Sequence, residues 1–405
     1  MGLLMEQDIE KDYIENIKGN YASADNTLQW KFIRGIEKNI GKGIYIISSP
    51  SIGKYPNKYK KIIIKTRKWS NGIGKENVRI GFVNLGIIKS IMRYIGFKNY
   101  LGRLIESLGN KDITLISYNT LPFQMKAIKE IKNKYNNVNI ILIVPDLPQY
   151  TYLEENISIT NKIRRYIKNE GLYKNLKYID GFIALTKGIE EKVNKYKKPF
   201  MIIEGIASEK KMVLSKENDE EKIILYTGTL RKKYGIMTLL EAFKDIEFSK
   251  YKLYICGKGE AEEDIKEYAI SDKRIVYKGL VTQEEAIRLQ SIATVLVNPR
   301  PNNDDFIKYS FPSKTIEYLS SGKPVICHRL DCIPSDYDEY LFYINDLSCR
   351  ALKEKIIEVC EMSSEDRHKV GIRGQQFINT QKSESVQGAK VIKLAELLRE
   401  KKNVY

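Results

Sequence analysis

Ile223-Ile-Leu-Tyr-Thr-Gly228-Thr-Leu-Arg231-Lys232-Lys233-Tyr234-Gly235-Ile-Met-Thr-Leu-Leu-Glu241-Ala-Phe243 sets the architecture. A short, continuous, β-branched run is the pattern of a strand buried on both faces. The run breaks at Gly228, passes through three cations and resumes from Ile236 with apolar residues at helical spacing. The same alternation continues downstream. After strand Lys222–Thr227 the pattern predicts helix Ile236–Asp245, strand Tyr251–Cys256, helix Ala261–Ala269 and strand Arg274–Lys278. Helix Gln283–Ser291, strand Thr294–Asn298, helix Pro312–Ser321 and strand Pro324–His328 follow. Strands alternating with helices imply a parallel sheet with right-handed crossovers.

Upstream, strands are expected at Ile44–Ser48, Val78–Val83, Ile113–Ser117, Asn139–Val144 and Gly181–Leu185. Helical patterns lie at Leu28–Lys38, Ile87–Ile95, Tyr100–Leu108 and Phe123–Tyr135, with a further one at Tyr166–Tyr178. The polar stretch Ser208–Lys222 has no core signal and reads as a linker. The expectation is an α/β chain of two doubly wound, Rossmann-like domains facing a cleft, with ligands at the carboxyl ends of the strands. The first domain spans 1–205, the linker 206–221 and the second domain 222–385. An apolar stripe at Val391, Ile392, Leu394, Leu397 and Leu398 marks a C-terminal helix over 386–405, free to pack back on the first domain. A chain of 405 residues is long enough for two cores.

The charge is uneven. The net +17 comes from residues 1–200, with 35 basic and 18 acidic side chains, while the remainder holds 33 of each. Clusters stand at Lys54–Lys68 and Lys162–Lys168. An anionic partner for the first half follows, a membrane surface in preference to nucleic acid. No run is long enough to span a bilayer, and Met1–Lys18 carries charge throughout, unlike a secretory leader. Five cysteines, an odd number without a C-x-x-C pair, and only two histidines argue against a disulfide framework or a zinc site. The reading is a cytosolic chain with no metal or cofactor.

Two blocks carry chemistry. In the first, Gly228 lets backbone approach a ligand, and Thr229, Arg231, Lys232 and Lys233 follow at the strand's carboxyl end, where cations can neutralise a diphosphate. The second is Tyr309-Ser-Phe-Pro-Ser-Lys-Thr-Ile-Glu317-Tyr-Leu-Ser-Ser-Gly322-Lys-Pro324. Pro312 suits the first turn of a helix, so the amides of Ser313, Lys314 and Thr315 are expected to be free for an anion, with Ser310 just before them. Glu317 stands one turn on, where a carboxylate can hold vicinal ribose hydroxyls. Glycine loops at Gly257-Lys258-Gly259 and at Gly279, followed by Leu280, offer room for a flat base.

In this order, these features resemble the donor-binding domain of the family 4 retaining glycosyltransferases of the GT-B fold. Thr227-Gly228-Thr, Tyr234-Gly235-Ile, Gly257-Lys-Gly-Glu, Lys278-Gly279 and Phe311-Pro-Ser-Lys-Thr-Ile-Glu317 carry the likeness. Ala22-Ser-Ala-Asp-Asn26, Val144-Pro-Asp146-Leu-Pro148, Ala184-Leu-Thr186 and Ile203-Glu204-Gly205 are similar, more loosely, to the acceptor domain. The resemblance implies transfer of a sugar, with retention and without metal, from a nucleoside-diphosphate sugar to a lipid-linked or polysaccharide glycan at the inner membrane face. It implies that Glu317 holds the ribose, and that Arg231, Lys232 or Lys233, Ser313 and Lys314 hold the diphosphate. Ser23, Asn26 and Asp146 fall to the acceptor, with Asp146 the first-domain catalytic candidate. In that family the leaving phosphate often serves as base.

Two positions depart from the pattern. The first acid of the family's E-x7-E is Tyr309 here, which carries no negative charge at neutral pH. Asp304 and Asp305 stand near enough to replace it, Asp305 being the catalytic candidate. Tyr234 occupies the place of the family's usual lysine. Met1–Tyr21 also reads as charged and helix-like, without the apolar strand on which this fold opens. Rival readings are a sugar-nucleotide 2-epimerase of similar fold, for which two histidines are few, and a non-catalytic nucleic-acid binder, whose basic residues form no known motif.

Overall fold

The computed structural model describes residues 1–18, 24–73, 75–147, 173–208 and 221–403. They form two compact units, Met1–Ile206 with Glu384–Tyr405, and Ala207–Ser383.

In the first unit, helices α1 (Glu10–Asn16) and α2 (Ala24–Ile40) precede five short strands. These are β1 (Ile47–Ser48), β2 (Ile63–Ile64), β3 (Arg67–Trp69), β4 (Asn77–Arg79) and β5 (Phe82–Val83). Next come α3 (Gly86–Leu108), β6 (Ile113–Tyr118), α4 (Pro122–Lys134) and β7 (Val138–Val144). After the undescribed residues lie β8 (Gly181–Ala184), α5 (Lys187–Val193) and β9 (Phe200–Ile202). The core is a parallel sheet in the order β6-β7-β8-β9, with Leu142 in register between Ser117 and Phe182. Strand β7 is buried along its whole length, as its unbroken Val-Asn-Ile-Ile-Leu-Ile-Val run requires.

Three expectations need correction here. The predicted strand Val78–Val83 is two strands, because Gly81 turns the chain against the backbone amide of Thr66, leaving no room for a side chain. β3 returns antiparallel to β4, and β2 antiparallel to β5, inside a stretch whose basic residues mask its β character. The predicted helices Ile87–Ile95 and Tyr100–Leu108 are one, continuous through Gly96, whose missing side chain admits Ile80. The chain's opening is helical over Gln7–Ile9 and Glu10–Asn16, as its charged reading expects, but its first residues are not. Gly2 forms a parallel bridge to Ser48, and the Met1 carbonyl accepts from the Tyr118 amide, so Met1–Gly2 links β1 to β6. Leu4 and Met5 are buried immediately after. The Tyr166–Tyr178 helix lies mostly outside the described residues, as do most of the polar stretch 206–221 and the Lys162–Lys168 cluster.

The second unit begins with β10 (Lys222–Thr227), α6 (Ile236–Lys244), β11 (Tyr251–Cys256), α7 (Glu262–Ser271) and β12 (Ile275–Gly279). It continues with α8 (Gln283–Ile292), β13 (Val295–Asn298), α9 (Ser313–Leu319), β14 (Val325–Cys327), β15 (Phe342–Tyr343), α10 (Cys349–Glu361) and α11 (Ser364–Gln381). All six strands are parallel, in the order β12-β11-β10-β13-β14-β15. Strand order reverses between β10 and β13, the switch point where doubly wound sheets open a crevice at their carboxyl ends.

The last helix, α12 (Glu384–Asn403), belongs to the first unit. Val391, Leu394 and Leu398 enter a core with Phe32, Ile36, Ile141, Ile143 and Ile183. It crosses α2 backbone to backbone, for a side chain on Gly388 would meet the Gly35 carbonyl at 2.1 Å. Glu384, nearly buried, is held by both Arg34 (2.6 Å) and Lys38 (3.5 Å). The five cysteines are free. Among the described residues, no helix is long and apolar enough to cross a membrane.

Candidate functional site

The carboxyl ends of β10 and β11 lie in register, Thr227 opposite Cys256, and the loops that leave them are packed together. The Gly228 amide donates to the Cys256 carbonyl (2.9 Å) and the Leu230 amide to the Lys258 carbonyl (3.0 Å). Gly257, at φ +140°, sits so close to Gly228 that a Cβ would lie 1.8 Å from its carbonyl oxygen. Gly257 is therefore required by loop-on-loop packing, not by room for a base. At Gly279 nothing stands near an added Cβ, and Leu280 beside it is largely exposed.

The cations of this turn differ in their commitments. Arg231 is exposed, with no carboxylate partner among the described residues. Lys232 is turned away, with its amine on Asp264 (2.9 Å) and its amide on Glu260 (2.7 Å). Lys233 lies over the Phe306 ring (5.0 Å). Thr229 is exposed, and its carbonyl accepts the Tyr226 hydroxyl (2.8 Å).

The second block is tied to the first by a buried network. The Tyr318 hydroxyl donates to the Thr227 carbonyl (3.0 Å) and accepts from the Thr227 amide (2.8 Å). Gln290, fully buried on α8, donates to Glu317 (2.7 Å) and reaches the Thr227 hydroxyl at 3.4 Å. Helix α9 is thereby fastened to the end of β10, which places Glu317 beside the Gly228 turn. Lys314 closes on both Glu317 oxygens (2.9 and 2.8 Å). A half-exposed pair one turn apart contributes roughly 0.3–0.5 kcal/mol, so an anion for Lys314 and hydroxyls for Glu317 can separate it at little cost.

The helix start departs from expectation. Pro312 caps α9 from outside, and the Thr315 amide donates to the Pro312 carbonyl (2.9 Å), so that amide is not free for an anion. Ser313 is exposed. Tyr309 and Ser310 are half-buried at the end of a short 3-10 turn, and Asp304 and Asp305 are exposed before it.

One residue that motif reading missed stands out. Arg300, two residues beyond β13, is buried, with its guanidinium over Phe306 (4.9 Å) and Tyr234 (5.4 Å). It donates to the Ser310 carbonyl (3.2 Å), while its Nε and second terminal nitrogen are buried without an acceptor. Burial lowers its pKa, and among nearby charges the Asp304 carboxylate raises it. An unsatisfied guanidinium at the switch point is chemistry suited to a phosphate oxygen.

In the first unit, Asp146 follows the end of β7, and Asp25 stands in the first turn of α2. The Tyr118 hydroxyl at the end of β6 donates to Asp25 (3.1 Å). Asp146 reaches the surface, yet protein surrounds much of it. Desolvation, then the charge of Asp25, pushes its pKa up to about 7. Burial also raises Asp25, against the Tyr118 hydrogen bond. A carboxyl held at that point, as Asp146 is, can exchange a proton near neutrality. Asn26 does not join them. It is buried, its oxygen accepts from the Met5 amide (2.9 Å), and its nitrogen donates to Glu10 (3.1 Å), so it ties down the chain's opening and presents nothing to an acceptor. Ser23 lies outside the described residues.

Because Asp146 holds its proton more tightly folded than unfolded, its ionisation opposes folding. Its contribution to stability is full below about pH 4 and is lost as pH rises towards 7. Asp146→Asn is expected to flatten that decline in Tm. If Asp146 works as a base, the same change removes an acidic limb near pH 7 from the rate profile. A profile that keeps this limb in the variant would show that another group titrates.

Residues 207–377 match the family model described as glycosyl transferases group 1. No curated protein sequence matches the chain. Among solved structures, a sucrose-phosphate synthase from Thermosynechococcus elongatus is similar at TM-score 0.66 and 14% identity, covering 98% of each chain. The lipopolysaccharide outer core galactosyltransferase WaaB is similar at TM-score 0.60 and 14% identity, covering 94% of this chain and 97% of that one. S. aureus TarM, in complex with fondaparinux, α-GlcNAc-glycerol and UDP, is similar at TM-score 0.52 and 16% identity, covering 86% of this chain and 66% of that one. At these identities the likeness establishes the fold.

Proposed function

We propose that the protein is a glycosyltransferase whose donor is a nucleoside-diphosphate sugar held by the second unit: residues 207–377 match the glycosyl transferases group 1 model, and the chain is built on the GT-B fold. The network from Thr227 through Tyr318 and Gln290 to Glu317 carries this reading, because it sets one carboxylate beside a glycine turn at the switch point of a doubly wound sheet. Glu317 takes the ribose hydroxyls. Arg231, Lys314 and Arg300 take the diphosphate and stabilise the charge that develops on it as the sugar departs. Lys232 contributes less, since Asp264 already holds it. These cations suit a reaction without a metal ion. The binding of UDP by TarM supports the donor class.

The acceptor, in this proposal, is a hydroxyl of a lipid-linked or polysaccharide glycan bound by the first unit, with Asp146 and Asp25 as its acids. Transfer proceeds with retention and serves bacterial surface polysaccharide synthesis. The first unit holds 40 basic and 22 acidic residues, a net +18, against −1 for the second. That balance suits peripheral attachment to the inner face of an anionic membrane.

A thermal-shift panel of nucleoside diphosphates and their sugars tests the donor site. At least one nucleotide at a hundredfold excess over its Kd is expected to add about 2.7 kcal/mol of stability, equally with and without a chelator. A panel in which none raises Tm would remove the donor assignment. NMR of the product's anomeric proton reads retention separately.

A further inference from the structure

Helix α3 reverses its amphipathicity partway along. Its buried face runs Lys89, Arg93, Phe97, Leu101, Ile105, one residue every four. The first two are cations. Lys89 donates inward to the Ile52 carbonyl (2.6 Å) and Arg93 to that of Pro50, both over the Phe82 ring. The outward face of the same turns is apolar. Ile87 is 78% exposed, Ile91 50%, and Ile88, Met92 and Ile95 are also open to solvent. From Phe97 onward the helix is ordinary, with Arg103, Glu106 and Ser107 outside. Helices of soluble proteins bury their apolar stripe. Here the first half shows it to the surroundings.

The neighbouring strands extend this surface. Ile63, 59% exposed, pairs across the hairpin with Val83, and the Asn84 amide donates to the Ile62 carbonyl (2.7 Å). The Tyr55 amide donates to the Asn84 carbonyl (3.2 Å), which brings exposed Tyr55 and Leu85 into the same patch. Contiguous apolar surface of this kind marks an interaction site. Around it, Lys54, Lys58, Lys60, Lys61 and Lys65 are exposed. Lys61 meets Asp12, whereas Lys54, Lys58 and Lys65 have no carboxylate partner among the described residues.

An apolar ridge in a field of uncompensated cations fits an occupant that is oily within and anionic at its surface. We propose that the first half of α3, with the Tyr55–Ile63 segment, is the face by which the protein docks on an anionic lipid bilayer. Its isoleucines enter the interface and its lysines meet lipid phosphates. A second copy of the chain fits poorly, since two units of +18 would meet face to face. The proposal rests on the peripheral attachment given above and adds the face and the mode. Attachment by charge alone is lost in salt, whereas an inserted ridge retains part of it.

Co-sedimentation with vesicles of phosphatidylglycerol and phosphatidylcholine tests this. The variant Ile63→Ser/Ile87→Ser/Ile91→Ser changes only exposed positions, so its Tm is expected to match the native protein. It should lose about tenfold in vesicle affinity and all of the salt-resistant fraction. The variant Lys54→Glu/Lys58→Glu/Lys65→Glu should lose mainly the low-salt part. Two results would overturn the proposal: a serine variant that binds vesicles like the native chain, or a native protein that ignores vesicles and forms dimers which the serine variant disperses. Nucleotide thermal shifts, measured on the same samples, read the second unit alone. Their absence would sink the donor reading and leave the vesicle result to decide this one.

Discussion

Replacing Gly388 by leucine is expected to lower the melting temperature of the first unit by roughly 6–12 °C, from a loss of about 3 kcal/mol. The new Cβ would lie 2.1 Å from the Gly35 carbonyl, and the mirror contact, Gly35 against the Glu384 carbonyl, is equally close. Both obstacles are helix backbone, so no side-chain rotation relieves them. The helices must part, and Val391, Leu394 and Leu398 then leave a core shared with Phe32 and Ile143. Separation also strips Arg34 from the nearly buried Glu384. Calorimetry should show this transition shifted, while nucleotide binding by the second unit is retained. An unchanged transition would mean that α12 does not pack on α2 in solution.

The second large effect belongs to Glu317. On the proposed donor site, Glu317→Ala removes the acceptor for two ribose hydroxyls, worth about 2 kcal/mol, or roughly thirtyfold in the Kd of a nucleoside diphosphate. The unliganded protein should melt a few degrees lower, because the Lys314 pair and the hydrogen bond from the buried Gln290 amide are lost, about 1–2 kcal/mol in all. Gln290→Leu separates position from contact. Gln290 holds Glu317 without reaching a ligand itself, so a several-fold weakening is expected, smaller than for Glu317→Ala. Nucleotide binding that survives Glu317→Ala at full strength would refute the ribose role.

These two sites show what a sequence discloses. Strands β10 and β13 are legible because burial on both faces forces largely apolar runs, and β11 because its buried and half-buried residues alternate. Glu317 is legible because its distance from Pro312 and Gly322 places it on one helix. The hairpin β2–β5 is hidden because Lys60, Lys61, Lys65, Arg67 and Lys68 dominate its composition, although Ile62-Ile63-Ile64 lies among them. The stripe Leu352, Ile356, Val359 of α10 is there to be read at helical spacing. Arg300, between Pro299 and Pro301, looks like any loop cation, and nothing local says that its guanidinium is buried over Tyr234 and Phe306. Asp25 is similarly disguised. An acid in the first turn of a helix needs no reason beyond the helix dipole, and its neighbour Asp146 lies far along the chain. Asn26 misleads in the opposite sense, since a motif position turns out to anchor the chain's opening. Reading fails where the partner is remote in sequence.

The placement of α12 bears on the order in which the protein is made. Residues 207–383 are continuous, so the second unit can fold as soon as they leave the ribosome. The first unit, although synthesised earlier, waits for Glu384–Asn403 before α2 and the β7–β8 core face are covered. The N-terminal half therefore emerges first and matures last. During that interval an apolar core face and a strongly basic surface are open together, and a chain stopped near residue 383 would carry a finished second unit attached to an unfinished, sticky first one.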